Sequence, residues 1–171
     1  MAYIEEAIRQ WEVARAGVIA ELENSPEAEL EYRPGDGART VREIALHVAE
    51  AGIAFTNELL KPDGTFANLF DPAVQAAVRA SLPHAQSKAE ILSLLRTTGD
   101  RMASRLRQVG EPLAEQAMQG RLGAQSRLSA LWFAVSHESY HRGQLTAYER
   151  GFGAVPALTQ QIVARQRRPS T

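Results

Sequence analysis

The chain contains no cysteine. Disulfides, thiolate metal ligands and a protein-borne thiol nucleophile are therefore excluded. The absence also fits a reducing cytoplasm. Lysine is nearly missing: Lys61 and Lys88 are the only two among 19 basic residues, so the positive charge is almost all arginine. No run of 18 apolar residues occurs, and no membrane span is expected. The N-terminus carries Glu5, Glu6 and Arg9 where a signal peptide needs its apolar stretch, so the expected location is the cytoplasm. With a net charge of −1 and a pI of about 6.4, the chain has no overall electrostatic footprint for nucleic acid. Convincing strand alternation is absent, as is any internal repeat at solenoid periods.

What remains is an ordinary globular mix, 44% apolar and 23% charged, in 171 residues. That length favours one domain with a substantial core. The pattern is helical almost throughout. Ile4, Ile8, Trp11, Arg15, Val18 and Leu22 step by three and four along a first helix, which "NSP" at 24–26 stops. "TVRE" at 40–43 is a capping box that opens a second helix, with Val41, Ile44, Val48, Ala51, Phe55 and Leu59 on its apolar face. Asp71 and Pro72 start a short connecting helix. "SKAE" at 87–90 caps a third long helix that ends near "GEP" at 110–112. The last long helix begins within 124–129 and runs to about Arg150, where "GFG" stops it. The expectation is an all-α four-helix bundle over 1–158, with the short helix between helices 2 and 3 and a polar C-terminal tail at 159–171, frayed over "ARQRRPST" at 164–171. The long 60–86 link leaves room for a crossover, so an up-down-up-down order is not required.

Within the last helix lies "HESYH", His137 to His141. This is the H-E-x-x-H pattern of zinc metalloproteases. At about 100° per residue, Ala130, Ala134, His137, His141, Gln144 and Tyr148 share one face. The two imidazoles stand roughly 6 Å apart along the axis, close enough to share an ion. They can equally be core residues hydrogen-bonded to neighbours. The histidine inventory favours the metal: His47 sits on the edge of the second helix's apolar face, beside Ile44 and Ala51. His84 follows Pro83 in a loop and is read as exposed and without a role. Three imidazoles from two helices form a neutral nitrogen site, suited to zinc, nickel, copper or iron rather than calcium or magnesium. Three ligands leave a position open, as in catalytic zinc sites. A protease would need a third ligand downstream. No histidine follows His141, and Glu149 lies eight residues on along the same helix, so that reading is set aside. Glu138 points about 100° away from His137. It is a candidate catalytic group, orienting a ligand or taking a proton, or else a solvated glutamate on the helix flank.

Two stretches, "TVREIALHVAE" at 40–50 and "HESYHRGQLTAYERGFG" at 137–153, together with the order of elements over roughly 1–158, resemble the DinB family of metal-dependent helical proteins. The resemblance implies an antiparallel four-helix bundle, commonly a homodimer, with a divalent metal held by three histidines. On this chain those are His47, His137 and His141. It also implies relatives that use a low-molecular-weight thiol, among them mycothiol-dependent maleylpyruvate isomerase and bacillithiol transferases.

That suggests an external thiol, deprotonated by a zinc or nickel ion, attacking a small electrophilic substrate. Arg39, Arg42 or Arg142 is a candidate for a substrate carboxylate, although packing suits Arg142 and Gly143 better. Gln144 and Tyr148 are candidate pocket residues, with core packing the equal alternative for Tyr148. A non-catalytic metal-binding or stress-response module is the second reading, and a helical dimer with unmetallated histidines the third. Trp11 and Trp132 belong to the core or to a subunit contact.

Overall fold

The helices begin where the sequence supplies caps. In this computed structural model, which describes residues 3–120 and 123–167, the long helices are α1 (Tyr3–Asn24), α2 (Val41–Leu60), α4 (Lys88–Val109) and α6 (Arg127–Gly151). Thr40 Oγ1 accepts from the Glu43 amide at 3.1 Å, and the Glu43 carboxylate accepts from the Thr40 amide at 2.7 Å. Ser87 and Glu90 form the same reciprocal cap on α4. Ser126 caps α6, and Gly110, at φ 66°, ends α4. Asp71 and Pro72 start the short α3 (Pro72–Ala80).

Packing partners fix the helix directions. Arg15 and Asn24 of α1 reach Glu138 and Glu149 of α6, so α1 and α6 run parallel. In α2, Val41–Ala49 packs with Ile91–Leu95 of α4 and Phe55–Leu59 with Met102–Leu106, so these two are also parallel. Glu23 of α1 meets Arg96 and its Glu12 meets Arg107, an antiparallel pairing of α1 with α4. His47 meets His137 while the Leu59 carbonyl meets Arg127, so α2 and α6 are antiparallel. The order is up, down, down, up, with α1 and α2 on a diagonal. The four-helix bundle is as expected, but two of its four side-by-side pairs are parallel rather than antiparallel. The long crossover through α3 permits this by returning the chain before α4 begins.

Two apolar layers fill the bundle. One holds Ile8, Trp11, Phe55, Met102 and Leu131, the other Val18, Leu22, Ile44, Leu95 and Leu145. Between them lies a polar layer centred on Arg15, only 4% exposed. Its guanidinium donates five hydrogen bonds: two to Glu138, one each to the Leu95 carbonyl, the Thr98 hydroxyl and the Val48 carbonyl. One side chain thereby ties its own helix to the other three. Removing such charges from water costs several kcal/mol per ion, which only this degree of pairing offsets. Gly52 of α2 makes room for it, since a Cβ there would come within 2.6 Å of the guanidinium.

Two expectations change. A two-stranded antiparallel hairpin, β1 (Ala117–Gly120) with β2 (Gly123–Ser126), follows the one-turn helix α5 (Glu111–Ala114) and leads into α6. Strands of four residues, rich in glycine and alanine, are too short to show an alternating pattern. Residues 159–166, expected as part of a polar tail and frayed from 164 on, belong to α7 (Ala157–Gln166). This helix docks through polar contacts that leave no apolar periodicity to read: the Leu158 amide donates to Glu21 at 3.2 Å and Gln160 to Asn24 at 2.9 Å. Positions 168–171 of the expected tail lie outside the described residues. Among the described residues no helix is long and apolar enough to cross a membrane.

Candidate metal centre

Antiparallel packing of α2 on α6 places His47 opposite the His137–His141 pair. Their register is set toward the end of α2, where buried Arg127 donates to the C-terminal carbonyls of Leu59 (2.5 Å) and Pro62 (2.9 Å). The three Nε2 atoms converge. His137 Nε2 lies 3.2 Å from His47 Nε2 and 3.2 Å from His141 Nε2, and all three ligand atoms fall within 4.8 Å of one another. Nitrogens bound tetrahedrally to zinc at about 2.0–2.1 Å stand roughly 3.3 Å apart. The two separations about His137 therefore match those of ligands around one ion, and closing His47 toward His141 completes the set.

The protonation state suits ligation as well. Burial pulls the His47 pKa down to about 4, helped by the Arg39 charge and by His141. His137 is pulled down to about 3 by burial, then by the neighbouring imidazoles and Arg39. His141 is also lowered by burial, with a contrary effect from Gln144. Neutral imidazoles expose the lone pairs a metal requires.

Gln144 Oε1 lies 2.7 Å from His141 Nδ1 and accepts its proton, which aims the Nε2 lone pair at the cluster. Its Nε2 in turn donates to the Tyr140 hydroxyl at 3.2 Å. Gln144 is thus a positioning residue that reaches the site through His141. His137 Nδ1 is buried without a hydrogen-bond partner in the protein. The edge of Phe55 packs on this ring, with centroids 5.3 Å apart.

The triad opens into a cavity of about 850 Å³. Phe55, Phe66 and Phe133 form one wall, with ring centroids 5.5–5.7 Å apart. Arg33 and Arg39 line the cavity from the loop before α2, and Tyr140 from α6. The sequence does not mark the phenylalanines as pocket residues, because they come from three separate segments. Tyr140 has a local signal, since it lies inside the H-E-x-x-H motif on its outer flank.

Glu138 is neither solvated nor directed at the imidazoles. It is 2% exposed and fully engaged on the α1 side, accepting from Trp11 Nε1 at 2.6 Å and from Arg15 at 2.6 and 2.8 Å. The sequence signal for this role is Arg15, an arginine on an otherwise apolar stripe. Tyr148 is 8% exposed and packs edge-on against Tyr32 in the core rather than lining the cavity. Arg42 pairs with Glu31, and Arg142 pairs with Glu21 while covering Gly17. Of the three candidate arginines only Arg39 faces the cavity. A Cβ at Gly143 would meet nothing within 4 Å, so close helix approach does not explain this glycine. His84 is exposed and hydrogen-bonds with Gln86. Glu149 is buried against Asn24 and Glu21, far along α6 from the triad. Trp11 belongs to the core, and Trp132 is 42% exposed.

The fold has counterparts among solved structures. The structure superposes on a DinB-like protein, YjoA of Bacillus subtilis, with a TM-score of 0.67 and 17% identity over 88% of this chain and 93% of that one. YfiT of Bacillus subtilis, described as a probable metal-dependent hydrolase with an unusual four-helix bundle topology, gives 0.65 and 20% identity over 88% of each chain. A mycothiol-dependent maleylpyruvate isomerase gives 0.63 and 17% identity over 97% of this chain and 71% of that one. No curated protein matches in sequence. The DinB family model itself spans residues 2–167, nearly the whole polypeptide, and the chain belongs to the DinB family.

Proposed function

We propose that this protein is a metal-dependent enzyme that activates an external low-molecular-weight thiol against a small electrophile, as an S-transferase or isomerase. One observation carries the reading: three histidines of lowered proton affinity, with ligand nitrogens within 4.8 Å of one another, line a cavity of about 850 Å³. A divalent ion bound there would lower the proton affinity of a coordinating thiol or water. The chain's own contribution is positional. Gln144 orients His141, Phe55 packs against the His137 ring, and Arg39 adds positive charge beside the triad. The lack of cysteine agrees with a thiol supplied from outside. Imidazole ligands favour zinc or nickel.

Two structural relatives, one described as a probable metal-dependent hydrolase and one as a mycothiol-dependent isomerase, agree with a reading that joins a metal and a thiol. The cavity favours catalysis over a module that only sequesters an ion. We place the protein in the cytoplasm as a homodimer. The exposed face of α6, with Trp132, Ser136, Ser139, Gly143 and Ala147, supports that assembly by offering an uncharged surface.

The test is turnover. Protein loaded with zinc or nickel is incubated with candidate thiols and an epoxide, an activated alkene or a halide. Activity that needs both ion and thiol is expected, and His47→Ala, His137→Ala and His141→Ala should each lose metal and activity together. No turnover across the panel, with metal bound, would favour the sequestration module. Unchanged metal content in the three variants would remove the site.

A further inference from the structure

Along α2 the residues facing the cavity change character on either side of His47. Toward the helix N-terminus the cavity is bounded by the 33–39 loop, and Arg33 and Arg39 both line it. Both are exposed, and neither has an ion-pair or hydrogen-bond partner among the described residues. Arg39 is close enough for its charge to depress the proton affinity of all three imidazoles. Two carboxylates share this lining: Glu43 is held in the α2 capping box, and Glu50 lies 3.9 Å from Arg79 and also feels the Arg39 charge. Against them stand Arg33, Arg39 and Arg79, so the charge at this end is positive on balance.

Toward the helix C-terminus the cavity becomes apolar. Phe55 stands eight residues beyond His47 and packs against Phe66 and Phe133. Phe55 and Phe66 are buried, whereas Phe133 is 40% exposed and presents ring surface to the opening. The triad lies between a cationic end and a phenyl end.

We infer that the cavity takes a small amphiphilic carboxylate, its anionic group at Arg39 with Arg33, its aryl or branched apolar part against Phe55, Phe66 and Phe133, and its reactive centre between them at the histidines. The planar guanidinium fork matches a carboxylate in geometry and charge. Aromatic rings recognise the apolar part by edge and face contact. A neutral electrophile of the same shape would leave Arg39 without an anion and would bind less tightly. This inference specifies the substrate class for the metal-dependent reading and rests on it for the reactive centre, but the two fail separately.

The test is calorimetric titration of the full chain, as purified and after chelation, with three probes. These are 4-phenylbutyrate, the neutral 4-phenylbutanol and butyrate. Chelation matters because a carboxylate can also bind a metal directly. In the metal-free chain 4-phenylbutyrate should bind tightest. Arg39→Gln should weaken it roughly tenfold, the scale of a lost charged hydrogen bond, and leave 4-phenylbutanol unchanged. Phe133→Ala should weaken both aryl probes and spare butyrate. Both positions are partly exposed, so folding is retained, and helical circular dichroism checks it.

Equal binding of acid and alcohol, or indifference of the acid to both Arg39→Gln and Arg33→Gln, overturns the anion subsite. No binding of 4-phenylbutyrate to the metal-free chain overturns the inference altogether. Elemental analysis is run on the same samples. Metal without probe binding leaves the metal reading standing alone, and probe binding without metal uptake does the reverse.

Discussion

Arg15 and Glu138 are joined by two hydrogen bonds, Nε to Oε2 at 2.8 Å and Nη2 to Oε1 at 2.6 Å, in the middle of the bundle. The glutamate of the H-E-x-x-H motif is therefore a structural anchor, and Trp11 completes its coordination at 2.6 Å. Because the same guanidinium holds the Val48 carbonyl, the anchor also braces α2 next to His47. Removing one member of a buried pair leaves the other charge uncompensated, at a cost of about 3–5 kcal/mol. Glu138→Ala and Arg15→Ala should each lose that much stability in urea unfolding, with metal content per folded chain retained. A stable Glu138→Ala protein that binds metal but has no activity would instead make Glu138 a catalytic group.

Gln144 touches the triad only through His141 Nδ1, at 2.7 Å. Partners that orient a metal-bound histidine contribute about 10–100-fold to metal affinity. Gln144→Leu should weaken zinc binding by that factor in a competition titration with a chromophoric chelator. Gln144→Glu, which keeps the acceptor, should restore the affinity. Global stability should change little in either variant, since Gln144 is at the helix margin rather than in an apolar layer.

Proton competition at the triad should be weak near neutrality. The imidazoles have lowered proton affinity in the folded chain, with His47 at about 4 and His137 at about 3. Free histidine would begin to lose metal near pH 6.5. Here zinc should stay bound through that region and leave only as the pH falls toward 5 and below. A release midpoint at 6.5, followed by dialysis and elemental analysis across pH 8 to 4, would show that the imidazoles are freely solvated. The same depression means that the metal-free fold gains stability with rising pH up to about 6.5, because the unfolded chain binds more protons there.

Local chemistry made much of this legible. Thr40 with Glu43 and Ser87 with Glu90 announce helix starts because a cap needs only four residues. His137 and His141 are four apart, and His47 stands out among only four histidines. Arg15 and Glu138 were harder to read, since 123 residues separate them and neither pattern names the other. The same holds for Phe66 and Phe133, which become a wall only once the crossover is folded. Helix direction was hidden too, because an amphipathic stripe reports which face is buried and not which way its neighbour runs. Tyr148 shares a face with the histidines but lies beyond the cavity, where Tyr32 covers it.

A second buried carboxylate makes the docking of α7 sensitive to pH. Glu149 is 0% exposed, accepts from Asn24 at 2.6 Å through Oε1, and has no donor for Oε2. Burial, with Glu21 beside it, pushes its pKa up to about 7, against smaller opposing effects from Asn24 and Arg150. Glu21 meanwhile is held by Arg142 and by the α7 amide of Leu158. A carboxyl group whose pKa is raised on folding stabilises the fold fully below its unfolded value near 4.5. That contribution is lost as pH rises to about 7, at no more than about 1.4 kcal/mol per pH unit. Glu149→Gln imitates the protonated acid and abolishes the titration. The variant should therefore gain on the parent protein steadily from pH 5 to pH 7.5 in urea unfolding, and the difference should level off above that. Comparing the two proteins at each pH cancels the opposite trend of the histidines, which lie outside this contact. A stability difference that is flat from pH 5 to 8 would mean that Glu149 ionises as an ordinary carboxylate and that α7 docks independently of it.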